Sequence, residues 1–334
     1  MIPHEPIRFI PIYKSVIWGG TRIAALKSAT LQDDHIGESW ELSGVPGSVS
    51  VVAEGPFAGR DINSLSAELG VELLGTRATL TRDGRFPVLV KFIDAHANLS
   101  LQVHPGDELA RRKHGCDGKT EAWYVVEAAP DARIYVGLAS PLDRDSYQAK
   151  LQANSLMDSV NAFRAERGQF YMIPAGTLHA IGSGNLLVEV QQCSDITYRV
   201  YDYNRRDKDG NLRQLHTEAA AEAINYDDFP YAAIPTARVF DGSNPSAVSC
   251  PHFNIDYIDL MSGSGSAESE RQRDVSTESC AIIINVGADA RLLYEGRETE
   301  IRRGETLLLP AGFGQYSISG GERLLIVTLC HDGQ

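Results

Sequence analysis

The chain is broken into short apolar runs, and no other feature limits its possible folds as strongly. Val88-Leu-Val-Lys-Phe-Ile93, Arg133-Ile-Tyr-Val-Gly137, Phe170-Tyr-Met-Ile-Pro174, Leu186-Leu-Val-Glu-Val190 and Thr197-Tyr-Arg-Val-Tyr201 are rich in β-branched or aromatic side chains and set off by Gly, Pro, Asn or Asp. Runs of this kind read as strands, and many in succession read as a sandwich or barrel. A mostly β chain is therefore expected. Helical periodicity is confined to a few stretches: about 62 to 73 capped by Asp61, Asp107 to about His114, one or two helices within 143 to 165, and one opened by Thr217 and Glu218 that runs to about Ile224.

Two segments can be laid over each other. Phe170-Tyr-Met-Ile-Pro-Ala-Gly-Thr-Leu-His179 matches Thr306-Leu-Leu-Leu-Pro-Ala-Gly-Phe-Gly-Gln315, each a strand, a Pro-Ala-Gly turn and a second strand. A duplicated β-barrel module is the simplest account. Gln315 stands where the first copy has His179, so the C-terminal copy is expected to have lost any metal site. The stretch from about Tyr226 to Val239 is richer in Pro, Asp and Ala, which places the boundary between residues 1–235 and 236–334. Gly263 to Ser279, rich in Ser, Gly and charge, reads as an exposed loop or hairpin arm.

A formal net charge of −13 disfavours nucleic acid and anionic membranes, whose binding rests on Lys and Arg neutralising phosphate. A small anionic substrate is still compatible, because a few local cations suffice. No apolar run reaches the roughly 18–20 residues of a membrane span, and the N-terminal stretch lacks a secretory pattern. The five cysteines have no paired spacing, which fits reduced thiols and a cytoplasmic protein.

Chemistry concentrates in three motifs: Gln102-Val-His-Pro105, Lys119-Thr-Glu121 and Pro174-Ala-Gly-Thr-Leu-His179. On one strand, the i, i+2 spacing of Gln102 and His104 turns both side chains to one face, and Lys119 would share a face with Glu121. Two imidazoles, one carboxylate and one amide oxygen, without thiolate, suit a divalent ion such as Zn2+ with a position open for catalysis.

With Ile36-Gly-Glu-Ser-Trp-Glu-Leu-Ser43, Gly118-Lys-Thr-Glu-Ala-Trp-Tyr124 and Glu189-Val-Gln-Gln-Cys-Ser-Asp-Ile-Thr-Tyr-Arg-Val-Tyr-Asp202, these motifs make the chain resemble the type I phosphomannose isomerases over about residues 8 to 225. The 57 residues between Glu121 and His179 resemble the short bacterial form. The resemblance implies two cupin-type β-barrel (jelly-roll) modules with a few added helices. It implies one Zn2+ on Gln102, His104, Glu121 and His179, and interconversion of D-mannose 6-phosphate and D-fructose 6-phosphate through a cis-enediol(ate). By the same resemblance Arg199 stabilises the enediolate, and Glu189 and Asp195 lie near the pocket.

Lys119 is assigned to substrate binding or proton management. The proton-transferring base is left open among Glu189, Lys119 and a water on the metal. Glu189 and Asp195 are candidates for accepting from sugar hydroxyls or for orienting Arg199, and Glu41 for the pocket wall, while Trp18 and Trp40 read as packing residues. Lys119, Arg205 and Arg206 are candidates for the phosphate. The alternative is a non-catalytic cupin that binds or senses sugar phosphates, and retention of Lys119 and Arg199 favours the enzyme. Gln102 in place of a first histidine weighs against an iron oxygenase.

Overall fold

The computed structural model describes residues 4–206, 209–229, 247–260 and 271–330. The first strands are β1 (Ile7–Arg8), β2 (Ile12–Gly20), β3 (Ile36–Leu42), β4 (Val88–Ala95), β5 (Leu101–Val103) and β6 (Glu121–Ala128). Then come β7 (Arg133–Leu138), β8 (Val160–Arg164), β9 (Phe170–Ile173), β10 (His179–Ile181), β11 (Asn185–Gln192) and β12 (Tyr198–Tyr201). The C-terminal part holds β13 (Val248–Ser249), β14 (Phe253–Asp259), β15 (Arg271–Val275), β16 (Ala281–Asn285), β17 (Ala290–Tyr294), β18 (Arg297–Ile301), β19 (Thr306–Leu309), β20 (Gly314–Gly320) and β21 (Arg323–Leu329). Helices α1 (Arg22–Leu26), α2 (Ile62–Leu69), α3 (Val71–Leu74), α4 (Asp107–His114), α5 (Arg144–Gln152) and α6 (Thr217–Ala223) decorate the strands.

All pairings between these strands are antiparallel, and they build two sandwiches of the same plan. In the first, β2-β3-β4-β11-β6-β9 lies over β12-β5-β10-β7-β8. In the second, β13-β14-β21-β16-β19-β1 lies over β15-β20-β17-β18. From β3 to β11, each strand of the first plan has its counterpart ten strands later, in the same neighbour order. The duplication read from the two Pro-Ala-Gly turns therefore extends to the whole topology, with β9 and β19 entering the turns and β10 and β20 leaving them. The residue match slips by one, however. Tyr316, not Gln315, faces inward: Tyr316 is buried with the second core, whereas Gln315 is exposed. The second turn carries two left-handed glycines, Gly312 (φ 71°) and Gly314 (φ 81°), where the first has Gly176 alone (φ 90°), and the extra one re-aims the strand.

Burial follows from which faces are covered. β4 and β11 are buried at every position because one face meets the first barrel's interior and the other the second barrel, so both lack the polar alternation of a half-exposed strand. Phe92, Tyr124 and Val188 on the outer face pack with Ile255, Tyr257 and Val327 of the second module in one core cluster. By contrast β17, with one face to solvent, alternates buried and exposed residues. The N-terminus is tied into the second module, since β1 pairs with β19 through Ile7 and Leu308. Replacing Phe92, fully buried in the shared cluster, with alanine is expected to cost about 3–5 kcal/mol. A urea denaturation midpoint lowered with unchanged slope measures it.

Two expected helices form as read, and the one expected over about 62 to 73 is broken at Gly70 into α2 and α3. Asp61 accepts from the Ser64 amide at the start of α2, which ends at Gly70, and α4 and α6 match their expected spans. Elsewhere the structure corrects the reading. Only 144–152 of the 143–165 segment is α-helix, because Val160–Arg164 is captured as β8 by pairing with β7. Within Gly263 to Ser279, Arg271–Val275 is strand β15 paired with β20, and 263–270 lie outside the described residues. The same is true of residues 230–239 of the expected boundary segment. Among the described residues no helix is long and apolar enough to cross a membrane, and all five cysteines are free thiols.

Candidate metal centre and active site

The ligand motifs meet inside the first barrel because register aligns them. His179 of β10 pairs with Gln102 of β5, and Gln102 pairs on its other side with Arg199 of β12. Residues paired across adjacent strands share a face, so these three leave the sheet together. His104 lies one residue past the end of β5, and Lys119 precedes β6, which opens with Glu121. Loops, rather than strand alternation, bring those two in.

Those loops are held by specific contacts. Gly118 approaches so closely that a Cβ would meet the Asp107 nitrogen at 2.6 Å, and its amide donates to Asp107 Oδ1 at 2.7 Å. The Thr120 amide donates to Gln192 Oε1, whose Nε2 donates in turn to Asp107. In the Pro-Ala-Gly turn, left-handed Gly176 donates to the His104 carbonyl at 2.9 Å, which links the first and third motifs directly.

At the centre, His104 and His179 bring their Nε2 atoms within 3.1 Å of each other. Their Nδ1 atoms lie 2.9 Å from the Ile196 carbonyl and 2.8 Å from the Thr177 carbonyl. A carbonyl only accepts, so each Nδ1 carries the proton and each Nε2 presents a lone pair. Glu121 is fully buried, with one carboxylate oxygen 3.3 Å from His104 Nε2 and the other 3.3 Å from His179 Nε2. That second oxygen, Oε1, is buried without a hydrogen-bond partner. Two facing lone pairs and an orphaned carboxylate oxygen are the donor set a cation satisfies, and the His104, Glu121 and His179 ligand atoms lie within 4.8 Å of one another. Gln102 adds an amide 3.2 Å from His179 Nε2, and its oxygen end is the one a cation would take.

Charge in this enclosure is tightly set. Burial, then the Lys119 ammonium, lowers the pKa of His104, and burial pushes His179 down to about 3. Both imidazoles are neutral at pH 7, as metal ligation requires. Burial alone would raise the Glu121 carboxyl, but the Lys119 ammonium beside it opposes this, and the carboxyl is held well below the usual range. The Lys119 ammonium contacts Glu121 and stands 3.0 Å from His104 Nε2.

Glu189 of β11 lies on the adjoining sheet, 3% exposed. Its carboxylate is pinned from two sides, by Lys91 Nζ at 3.0 Å and by the Trp123 indole N–H at 2.8 Å. Burial would lower the Lys91 pKa, but Glu189, Glu38 and Asp195 raise it, so the amine stays charged. Asp195 is exposed in the loop before β12 and contributes to that field. The Trp123 ring sets its edge against His179, centroids 5.4 Å apart, and so joins the carboxylate pair to the metal centre.

Arg199 is half-buried, donates to the Gln214 carbonyl at 3.0 Å and has its Nε buried without a partner. Burial and then Arg213 lower its pKa, with Asp202 opposing. Of the other phosphate candidates, Arg205 is engaged by Asp202 and the Asn98 carbonyl, and Arg206 is exposed and donates to Gly210.

Glu41 is not brought to this site. Strand alternation puts it on the face of β3 opposite Glu38 and Trp40, where it bonds Lys27 at 2.8 Å in the groove toward Gly304. Glu38, three residues earlier, is the carboxylate that faces Lys91, at 3.9 Å. Trp18 is buried in the barrel core as a packing residue. Trp40 lies between Lys14 and Lys91, 4.6 and 5.0 Å from its ring centre. Lys91 and Trp123 escaped the sequence reading, although a lysine inside the apolar run Val88–Ile93 was a signal for the first.

Known proteins are similar to this chain in sequence and in fold. The family model for the type I phosphomannose isomerase catalytic domain matches residues 7–127. The mannose-6-phosphate isomerase ManA of Bacillus subtilis is 32% identical over 95% of this chain and 96% of its own. The mannose-6-phosphate isomerase of Streptococcus mutans is 31% identical over 95% and 96%. The crystal structure of the B. subtilis enzyme superimposes with a TM-score of 0.83, at 30% identity, over 96% of this chain and 99% of that one. Full-length similarity at this level, carried on the same two-barrel fold, shows that the chain belongs to the type I phosphomannose isomerase family.

Proposed function

We propose that this chain interconverts D-mannose 6-phosphate and D-fructose 6-phosphate, using one Zn2+ held by Gln102, His104, Glu121 and His179. The observation that carries the reading is the convergence of two imidazole lone pairs and an orphaned carboxylate oxygen on one buried point, flanked by Lys119 and in register with Arg199. The names of the full-length relatives supply mannose 6-phosphate, and moving its carbonyl from C1 to C2 gives fructose 6-phosphate.

When bound, the ion supplies Lewis acidity toward the sugar oxygens. The side chains carry the remaining work. Moving the carbonyl from C1 to C2 requires a base to take the proton beside it and return it to the neighbouring carbon. Glu189 fits that task, because Lys91 and Trp123 fix its carboxylate in position. The cis-enediol(ate) formed in between carries negative charge on oxygen, and Arg199 offers a fixed guanidinium on the row shared with Gln102 and His179. Lys119 orients the reacting oxygens or manages their protons, and Asp195 accepts hydrogen bonds from sugar hydroxyls.

On this reading residues 1–235 form the catalytic module and 236–334 a second cupin without metal. The acidic surface and free thiols suit the cytoplasm. Purified protein is expected to lose mannose 6-phosphate isomerisation on chelation and regain it with one equivalent of zinc. A coupled assay for fructose 6-phosphate measures this, and folded, zinc-loaded protein without turnover would overturn the proposal.

A further inference from the structure

The second barrel has kept a cavity at the place where the first has its metal centre, with different chemistry on its walls. Register fixes the correspondence. Across β10 and β5, His179 pairs with Gln102; across β20 and β15, Tyr316 pairs with Arg273. Glu121 opens β6 opposite Gln191, and Ala281 opens β16 opposite Thr328. Gln191 pairs onward with Leu89, two residues before Lys91, just as Thr328 pairs with Asn254, two before Asp256. Arg273, Tyr316, Ala281 and Asp256 therefore occupy the places of Gln102, His179, Glu121 and Lys91.

All four, with Asn254 and Thr328, line a cavity of about 490 Å³. That lies within the roughly 300–1,000 Å³ of pockets that hold small ligands. Exchanging Glu121 for Ala281 removes a ligand carboxylate and opens volume. Among the described residues, the cluster of His, Cys, Asp and Glu suited to a metal is the one in the first barrel. The inner walls of the second are polar all the same, unlike its core. Arg273 and Asp256 stand 3.6 Å apart with 35% and 34% of their side chains exposed, so each keeps hydrogen-bonding capacity toward the cavity.

The charges decide which ligand fits. Arg77 and Arg273 are set against Asp256, Asp274 and Glu278, and Arg77 is already paired with Glu278 at 3.2 Å. With no excess of positive charge, the cavity does not favour a phosphate or another anion. A guanidinium donor beside a carboxylate acceptor, an amide, a hydroxyl and an aromatic ring match a molecule carrying several hydroxyl groups over a carbon skeleton. We propose that this cavity binds a neutral polyhydroxylated molecule of hexose size, at a site separate from the metal centre.

Equilibrium dialysis of the full chain against radiolabelled D-fructose and D-mannose, which lack phosphate, tests this. Asp256→Asn and Arg273→Gln are expected to weaken hexose binding at least tenfold while leaving mannose 6-phosphate turnover unchanged. Ala281→Leu, which fills the cavity without touching an ion pair, is expected to do the same, with thermal melts showing that each variant is folded. His179→Ala is expected to leave hexose binding intact. Absence of hexose binding by the parent protein overturns the proposal. So does binding that survives all three cavity substitutions, or that disappears with His179→Ala, which would put the hexose in the first barrel.

Discussion

Alanine in place of His104 or His179 is expected to abolish stoichiometric zinc binding and to lower isomerase activity at least about 100-fold. Each imidazole is oriented by its Nδ1 proton on a backbone carbonyl, so alanine removes an Nε2 lone pair already aimed at the shared point. Neither residue supports the fold from a strand interior: His104 follows β5, and His179 opens β10. The variants should therefore fold, as circular dichroism will show, yet gain no thermal stability from added zinc. The parent gains stability because an ion that binds only the folded state shifts the equilibrium by mass action. Elemental analysis of purified protein is the direct measurement. Normal zinc content in either variant removes that residue from the ligand set.

Arg199→Ala is expected to separate chemistry from metal binding. The guanidinium leaves the sheet beside Gln102 but donates to the Gln214 carbonyl, so removing it spares the four ligands. Zinc content should stay at one per chain while kcat falls about 10²–10³-fold, the scale seen when a preorganised stabiliser of oxyanion charge is lost. KM should change far less, because a group acting on charge that develops only in the transition state contributes little to ground-state binding. Lysine at the same position would restore the charge without the fork and should recover part of the rate. Unchanged turnover in Arg199→Ala rules out this role.

Strand capture explains where the sequence misled. Residues 160–164 carry enough polar spacing to pass for a helix, yet β7 offers an unpaired edge, and Phe163 pairs opposite Ile134 there. Arg271–Val275, with Arg, Gln, Arg and Asp in succession, looks like a solvated loop because the strand has one face in solvent and its inner face at a polar cavity. Glu41 was misjudged by one step of alternation. Glu38 and Trp40 on the same strand face Lys91, but consecutive strand residues point to opposite faces, and a sequence does not state which face is inside.

The sequence by itself determined the β class, the duplication, the helix cap at Asp61 and the donor types available to a cation. Each of these is local: strand runs, turn residues and donor types are written within a few positions of one another. Tertiary structure alone decided that His179, Gln102 and Arg199 form one row and that Lys91 and Trp123 fix Glu189. It also turned Tyr316, rather than Gln315, into the second barrel. Those facts depend on cross-strand register and on loops anchored through Gly118 and Gly176, between residues up to about a hundred positions apart in the chain. Register is settled by which faces the packed sheets bury together, and that choice exists only once the barrels have closed.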